Sequence, residues 1–144
     1  MTDDVQRGPA VPAWYWIAAV LALLFEAAGA FLLYSNQTLD PATLPLDQRN
    51  VFLAVPQWMI IAWAVAVATG LLGAVGLLMR RTFAVSMLLI SLVAAAVQFS
   101  GLVIVKPLRE LTAETDLLEP IAVLIILYAI WQLSKLARRR GWLR

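Results

Sequence analysis

The sequence predicts an all-α membrane protein, a four-transmembrane-helix bundle with a long first outer loop. Of its 144 residues 62% are hydrophobic, and the mean hydropathy is +0.84, well above the range of soluble domains. Four apolar runs each approach or exceed the roughly 20 residues that a helix needs to cross a bilayer. None of them shows the alternating pattern of a transmembrane barrel, so helices are the expected form of every span.

The four predicted spans make a single transmembrane domain of residues 1–144. Pro56 and Pro120 lie where the second and fourth spans should begin, and proline is tolerated in the first turn of a helix. Tryptophans lie near several predicted span ends, where amphipathic rings favour the membrane interface. The predicted spans are about 14–34, 55–79, 83–105 and 117–136.

The basic residues predict the orientation of the bundle. With four spans both termini lie on one side, and that side holds eight of the 11 Lys and Arg residues. The positive-inside rule then places both termini in the cytoplasm. We interpret six residues of this side as topology or lipid-headgroup anchors rather than as a nucleic-acid surface: Arg80, Arg81, Lys135, Arg138, Arg139 and Arg140. The eight residues are Arg7, Arg80, Arg81, Lys135, Arg138, Arg139, Arg140 and Arg144; Arg49, Lys106 and Arg109 lie on the other side.

The first outer loop, residues 35–54, is long for a helix connection. Asp40 followed by Pro41 predicts a helix cap, and "DQRNVFLAV" predicts a short interfacial helix that leads into the second span.

Small residues repeat along the spans and predict the faces where helices meet, because small side chains let helices approach closely in lipid. The clearest stripe is in the second span, and Glu26 shares such a stripe with Ala22 in the first. The predicted packing residues are Ala22, Ala62, Ala66, Gly70, Gly73, Gly76 and Ala94; the fourth span offers Ala122, Ala129 and Gln132.

Glu26 is the one acid within the predicted core of a span, in "LLFEAAGAFLL". An acid at a helix centre costs about 2.5–3.5 kcal/mol on insertion scales, so such residues are candidates for function. We predict that Glu26 pairs with Gln98 in the outer half of the bundle, with Ser100 or Tyr128 as further partners. Two interpretations stay open: a proton or cation site, and a protonated carboxyl that donates a structural hydrogen bond.

The composition excludes several classes of site. The chain has no Cys and no His, which excludes disulfides, the usual zinc sites and the common axial ligand of haem. No nucleophile has a base in reach, and no glycine-rich loop follows a strand. We therefore expect no enzymatic activity, no cofactor and no bound metal.

The stretch "PAWYWIAAVLALLFEAAGAFLLY", with the "LP…QR" loop, the "PQW" start of span two and the basic turn, resembles a group of small bacterial four-span inner-membrane proteins. Automated naming often labels them "sugar transporter". The resemblance covers about residues 12–98 and implies an inner-membrane location. Glu26 departs from the polar amide often found at this position in such proteins, so the resemblance implies no family-wide role for it.

"EAAG" at 26–29 is similar to the Glu-x-x-Gly of small multidrug resistance exporters, which are also four-span proteins. This resemblance implies a mechanism in which paired carboxylates of a dimer exchange protons for a cationic substrate. The twenty-residue outer loop departs from the short loops of those exporters.

From these observations we expect a non-catalytic integral inner-membrane protein, an accessory or structural subunit that acts through helix–helix contacts. The alternative is a small transporter, dimeric and proton-coupled, that uses Glu26. The expected partners are the lipid bilayer and either other membrane subunits or further copies of the chain, with no nucleic acid.

Overall fold

The computed structural model of the chain describes residues 9–112 and 114–144. Within these ranges every regular element is helical, and four helices are long and apolar enough to cross a membrane. The chain is therefore a multi-pass integral membrane protein with the predicted all-α, four-helix architecture. Arg7, one of the basic residues that predict the orientation, lies outside the described residues. The long helices are α1 (Ala13–Thr38), α3 (Gln57–Leu78), α4 (Phe83–Ile104) and α6 (Leu118–Arg139); the short ones are α2 (Leu46–Ala54) and α5 (Lys106–Leu111).

The first helix is longer than its apolar run. The prediction ended near Tyr34, but α1 continues through the polar residues "SNQT" to Thr38, whose hydroxyl donates to the Tyr34 carbonyl at 3.0 Å. Glu26 consequently lies at the middle of α1, about 18 Å from Thr38 at the rise of an α-helix. Its predicted place in the outer half of the bundle stays a prediction, because a helix that continues past its apolar run does not move the hydrocarbon boundary.

The long helices pack in chain order, α1 on α3, α3 on α4 and α4 on α6. The bundle has a terminal end and a loop end. The terminal end is where α1 begins, where α3 turns into α4 and where α6 ends; the loop end is the opposite one. At the terminal end, α1 and α6 share an apolar cluster that includes Tyr15, Ala19, Ile130 and Ala137. A cavity described below separates α1 from α6 toward the loop end.

Close helix approach centres on α3, where Gly70, Gly73, Ala74 and Gly76 are all buried. A Cβ added at Gly73 would lie 2.6 Å from Leu88 Cγ and 3.2 Å from the Leu88 backbone nitrogen. The contact with α4 therefore requires the absence of a side chain at position 73.

The predicted packing residues fall into two groups. Ala22, Ala66, Gly70, Gly73 and Gly76 are buried, whereas Ala62 and Ala94 are half-buried. On α4 the buried face runs through Ser91 and Ala95, one residue away from the predicted Ala94. On α6 the prediction was wrong, because Ala122 and Ala129 are exposed and Gln132 is only half-buried. The buried residues of α6 are Pro120, Leu127, Ile130, Ser134 and Ala137.

The C-terminal tail closes the terminal end. Arg80 has a φ of 55°, in the left-handed region that favours glycine. The tail holds this turn through two backbone bonds, Arg144 N–H to the Arg80 carbonyl at 2.6 Å and Thr82 N–H to the Arg144 carbonyl at 3.1 Å. Trp142 packs edge-on against Trp14 and Tyr15, with ring centroids 5.5 and 5.6 Å apart.

The first outer loop folds as its sequence predicts. The Asp40 carboxylate accepts from Ala42 N–H at 2.9 Å and caps a 3₁₀ turn, and the short helix α2 follows. Arg49 of α2 donates to the carbonyls of Pro41, Ala42 and Leu44 at 2.9–3.2 Å. With α2 packed against α5, these bonds give the loop end a fixed shape.

Replacing Gly73 by alanine should destabilise the bundle. The new Cβ would overlap Leu88 next to its backbone, and overpacking of this kind costs about 1–3 kcal/mol. Gly29→Ala is the matched control, since its Cβ would meet only Val67 Cγ2 at 3.7 Å, an ordinary contact. Thermal unfolding in a mild detergent should show a lower midpoint for Gly73→Ala than for Gly29→Ala. Equal midpoints would contradict the close α3–α4 approach.

Candidate functional site

A cavity of about 530 Å³ lies between the four long helices. It extends from Glu26 and Ser91, deep in the bundle, to Asn36 and Glu119 near the loop end. Each long helix contributes to the wall, and most of the lining is apolar. Its size and apolar character are typical of sites for small organic ligands, which have volumes of about 300–1,000 Å³.

Glu26 is the deepest ionisable group of this cavity. Its side chain is buried, at 4% exposure, and rests against Gly70 of α3. A Cβ at position 70 would lie 2.7 Å from Glu26 Oε1 and closer still to Oε2, so the glycine provides the space for the carboxyl group. Among the described residues Oε1 has no hydrogen-bond partner. Burial of an unpartnered polar atom costs free energy, so the carboxyl is held here without a stabilising bond in return.

Gln98 lines the same cavity but does not pair with Glu26. In the described part of the chain no hydrogen bond joins the two side chains, and the predicted pair is therefore not formed. The position of Ser91 explains this, because Ser91 is the residue of α4 near the level of Glu26. Its hydroxyl donates to the Ala66 carbonyl at 2.7 Å, and Ala66 is one turn of α3 away from Gly70, which contacts Glu26. Gln98 lies seven residues further along α4, about 10 Å nearer the loop end at the helical rise.

The two further predicted partners of Glu26 lie elsewhere. The Ser100 hydroxyl donates to the Val97 carbonyl of its own helix at 2.6 Å. Tyr128 is 51% exposed, and its hydroxyl accepts from Gln132 Nε2 at 2.7 Å. Neither residue lines the cavity, so Glu26 and Gln98 are the members of the predicted polar site that the structure brings together.

The sequence-based prediction missed the aromatic wall and the acid at the mouth. Phe25, Trp63 and Phe99 line the cavity, and Glu119 lies near its loop end. Trp63 carried a usable signal, since a tryptophan well inside a span is away from its favoured interface. The lining contains two acids and no Lys or Arg.

Glu26→Gln should not weaken the fold. A neutral amide of the same shape is cheaper to bury than a carboxylate, and Oε1 has no bond to lose. We expect the free energy of unfolding in detergent to stay equal or to rise by about 1 kcal/mol. Glu110→Gln, at an exposed ion pair with Lys106, is the control for removal of an acid at the surface. A marked loss of stability in Glu26→Gln alone would show that the carboxyl has a structural role.

Comparison with known proteins assigns no family to this chain. No family model, no curated protein and no solved structure matches the chain. The two family resemblances seen in the sequence therefore stay predictions, and the function has to be argued from the cavity and its residues.

Proposed function

We propose that this protein is a small membrane transporter that binds an organic cation in the cavity between its four long helices. The observation that carries the proposal is the buried, unpartnered carboxyl of Glu26 at the deep end of a ligand-sized cavity. An intramembrane acid of this kind is a functional candidate by default. The rest of the lining supports a ligand with an apolar body and a positive charge.

Charge and aromatic rings support the same ligand class. Glu119 near the mouth would attract a cation, and Glu26 would bind it at the deep end. The faces of Phe25, Trp63 and Phe99 suit cations as well as apolar groups, since a ring face attracts positive charge. A neutral sugar would need many paired donors and acceptors, and this mostly apolar lining offers few.

Glu26 also supplies a means of coupling. A carboxylate that holds a cation takes up a proton when the cation leaves, so one site serves the two ions in turn. Exchange of one proton for one monovalent cation keeps the charge of the buried site constant. The Trp142 contacts and a bond from Tyr15 Oη to the Leu77 carbonyl at 2.6 Å hold the terminal end together, and we place the entrance of the cavity at the loop end, near Asn36 and Glu119.

The accessory-subunit role explains less of the cavity. It was favoured because the sequence contains no reactive cluster, and it requires no internal site at all. A subunit that acts through helix contacts gains nothing from an acid that forms no bond. The inner-membrane location with cytoplasmic termini belongs to the proposal as well, supported by the basic residues of the terminal end.

Binding of tetraphenylphosphonium, a lipophilic cation, tests the proposal. We expect saturable binding to the full-length protein in detergent, and weaker binding of a neutral analogue of the same shape. Truncating one partner of a buried charge pair costs about 2 kcal/mol or more, so Glu26→Gln should weaken binding at least roughly 30-fold. Glu119→Gln should have a smaller effect, and Glu110→Gln, outside the cavity, should have none.

Two results would overturn the proposed transport function. The first is equal binding of the cation to the wild type and to Glu26→Gln. The second is absence of cation binding together with specific, stoichiometric co-purification of other membrane proteins in mild detergent. That pair of findings would favour the accessory-subunit role.

A further inference from the structure

A second cavity, separate from the first, lies at the terminal end between α1 and α6. It is an open groove of about 390 Å³, lined by Trp14 of α1 and by one face of α6. Its polar lining is Gln132, Lys135 and Arg139, and no acid lines it. Its sign of charge is therefore opposite to that of the Glu26 cavity.

Lys135 and Arg139 lie on this face of α6 without a carboxylate partner among the described residues. Within residues 9–112 and 114–144 neither forms an ion pair. Lys135 Nζ lies 4.5 Å from the centroid of the Trp131 ring, so packing restricts its side chain and leaves its donors unused. The two cations are one helical turn apart and can both reach one phosphate group.

The groove changes from basic to apolar along α6. Arg139 lies at the end of the helix, and Leu136, Leu133 and Ala129 line the groove toward the middle of the bundle. Ala129 lies about 15 Å from Arg139 along the helix, at 1.5 Å per residue. Ala129 is also small and exposed, which leaves the inner part of the groove open. Cations at one end of the groove and apolar side chains further along α6 suit a phospholipid, which has a phosphate and an acyl chain, better than a soluble phosphate.

We propose that this groove binds an anionic phospholipid. The phosphate lies between Lys135 and Arg139, Trp14 covers the glycerol region, and one acyl chain follows Leu133 and Ala129. The site does not depend on the proposed transport function, since it shares no lining residue with the Glu26 cavity.

Charge-matched variants separate this site from general attraction to basic residues. Lys135→Gln/Arg139→Gln removes the two cations of the groove. Arg138→Gln/Arg140→Gln removes two exposed cations from the same end of the chain that do not line it. Native mass spectrometry of the full-length protein in neutral detergent would measure binding of phosphatidylglycerol and of phosphatidylcholine with the same acyl chains.

We expect phosphatidylglycerol to bind more tightly than phosphatidylcholine to the wild type. Each base beside an anionic headgroup contributes about a fivefold factor, so the groove variant should lose roughly 30-fold in affinity. The control variant should lose less than about threefold, because its charges act only from a distance. Equal losses in the two variants, or equal affinity for the two lipids, would overturn the proposal.

A second pair of variants tests the acyl track without changing charge. Ala129→Trp should fill the inner groove and weaken phosphatidylglycerol binding, whereas Ala122→Trp, exposed on the same helix but outside the groove, should leave it unchanged. Glycerol phosphate distinguishes a lipid site from a phosphate site. Displacement of the lipid by a modest excess of glycerol phosphate, or equal effects of the two tryptophans, would contradict a phospholipid site.

Discussion

The close approach of α1 and α4 to the small-residue face of α3 is the constraint on which the other features of this bundle depend. In lipid there is no hydrophobic force between helices, so association depends on packing and on hydrogen bonds. Gly73 and Gly76 let α4 pack directly against the α3 backbone, and Gly70 does the same for Glu26 on α1. The same glycine-rich face therefore provides both a close contact between α3 and α4 and the space for the buried acid.

The gap between α1 and α6 follows from this arrangement. Because the helices pack in chain order from α1 to α6, the first and last helices have α3 and α4 as their main supports. The C-terminal tail draws α1 and α6 together at one end, through Trp142 against Trp14 and Tyr15. Toward the loop end, beyond these contacts, the gap remains as a cavity. The acidic internal cavity and the basic groove at the terminal end both lie between the same two helices.

The sequence predicts the parts of this fold that depend on composition and local chemistry. Four spans, the Asp40 cap and the short helix α2 all follow from hydropathy and capping residues. It does not predict where α1 ends, because hydropathy locates the hydrocarbon boundary and not the last helical hydrogen bond. Nor does it predict the face of α6, where the exposed Ala122 and Ala129 resemble packing residues but the contacts are made by Leu127 and Ile130.

The candidate site likewise has one part that the sequence predicts and one part that it does not. Glu26 was identifiable because an isolated acid in an apolar run is costly wherever it lies. Its relation to Gln98 depends on helix register, and a seven-residue offset along α4 decides whether two side chains bond or line a shared cavity. Depth estimates from span ends carry an error of about a helical turn, as the continuation of α1 from Tyr34 to Thr38 shows, so they do not fix which side chains of two helices meet. The cavity itself is formed by non-neighbouring residues of four helices and has no local sequence signal.

The lack of a partner for Glu26 is the strongest physical reason to look for a ligand. A buried carboxyl that served the fold would be expected to form a hydrogen bond, for example with Ser91 of α4. Instead Ser91 donates to Ala66, which uses the nearest hydroxyl for the α3–α4 contact. Gly70 keeps the space beside the carboxyl open. An arrangement that provides space for an acid but no hydrogen-bond partner is unfavourable for stability alone, and the proposed organic cation would give the carboxyl a partner of opposite charge.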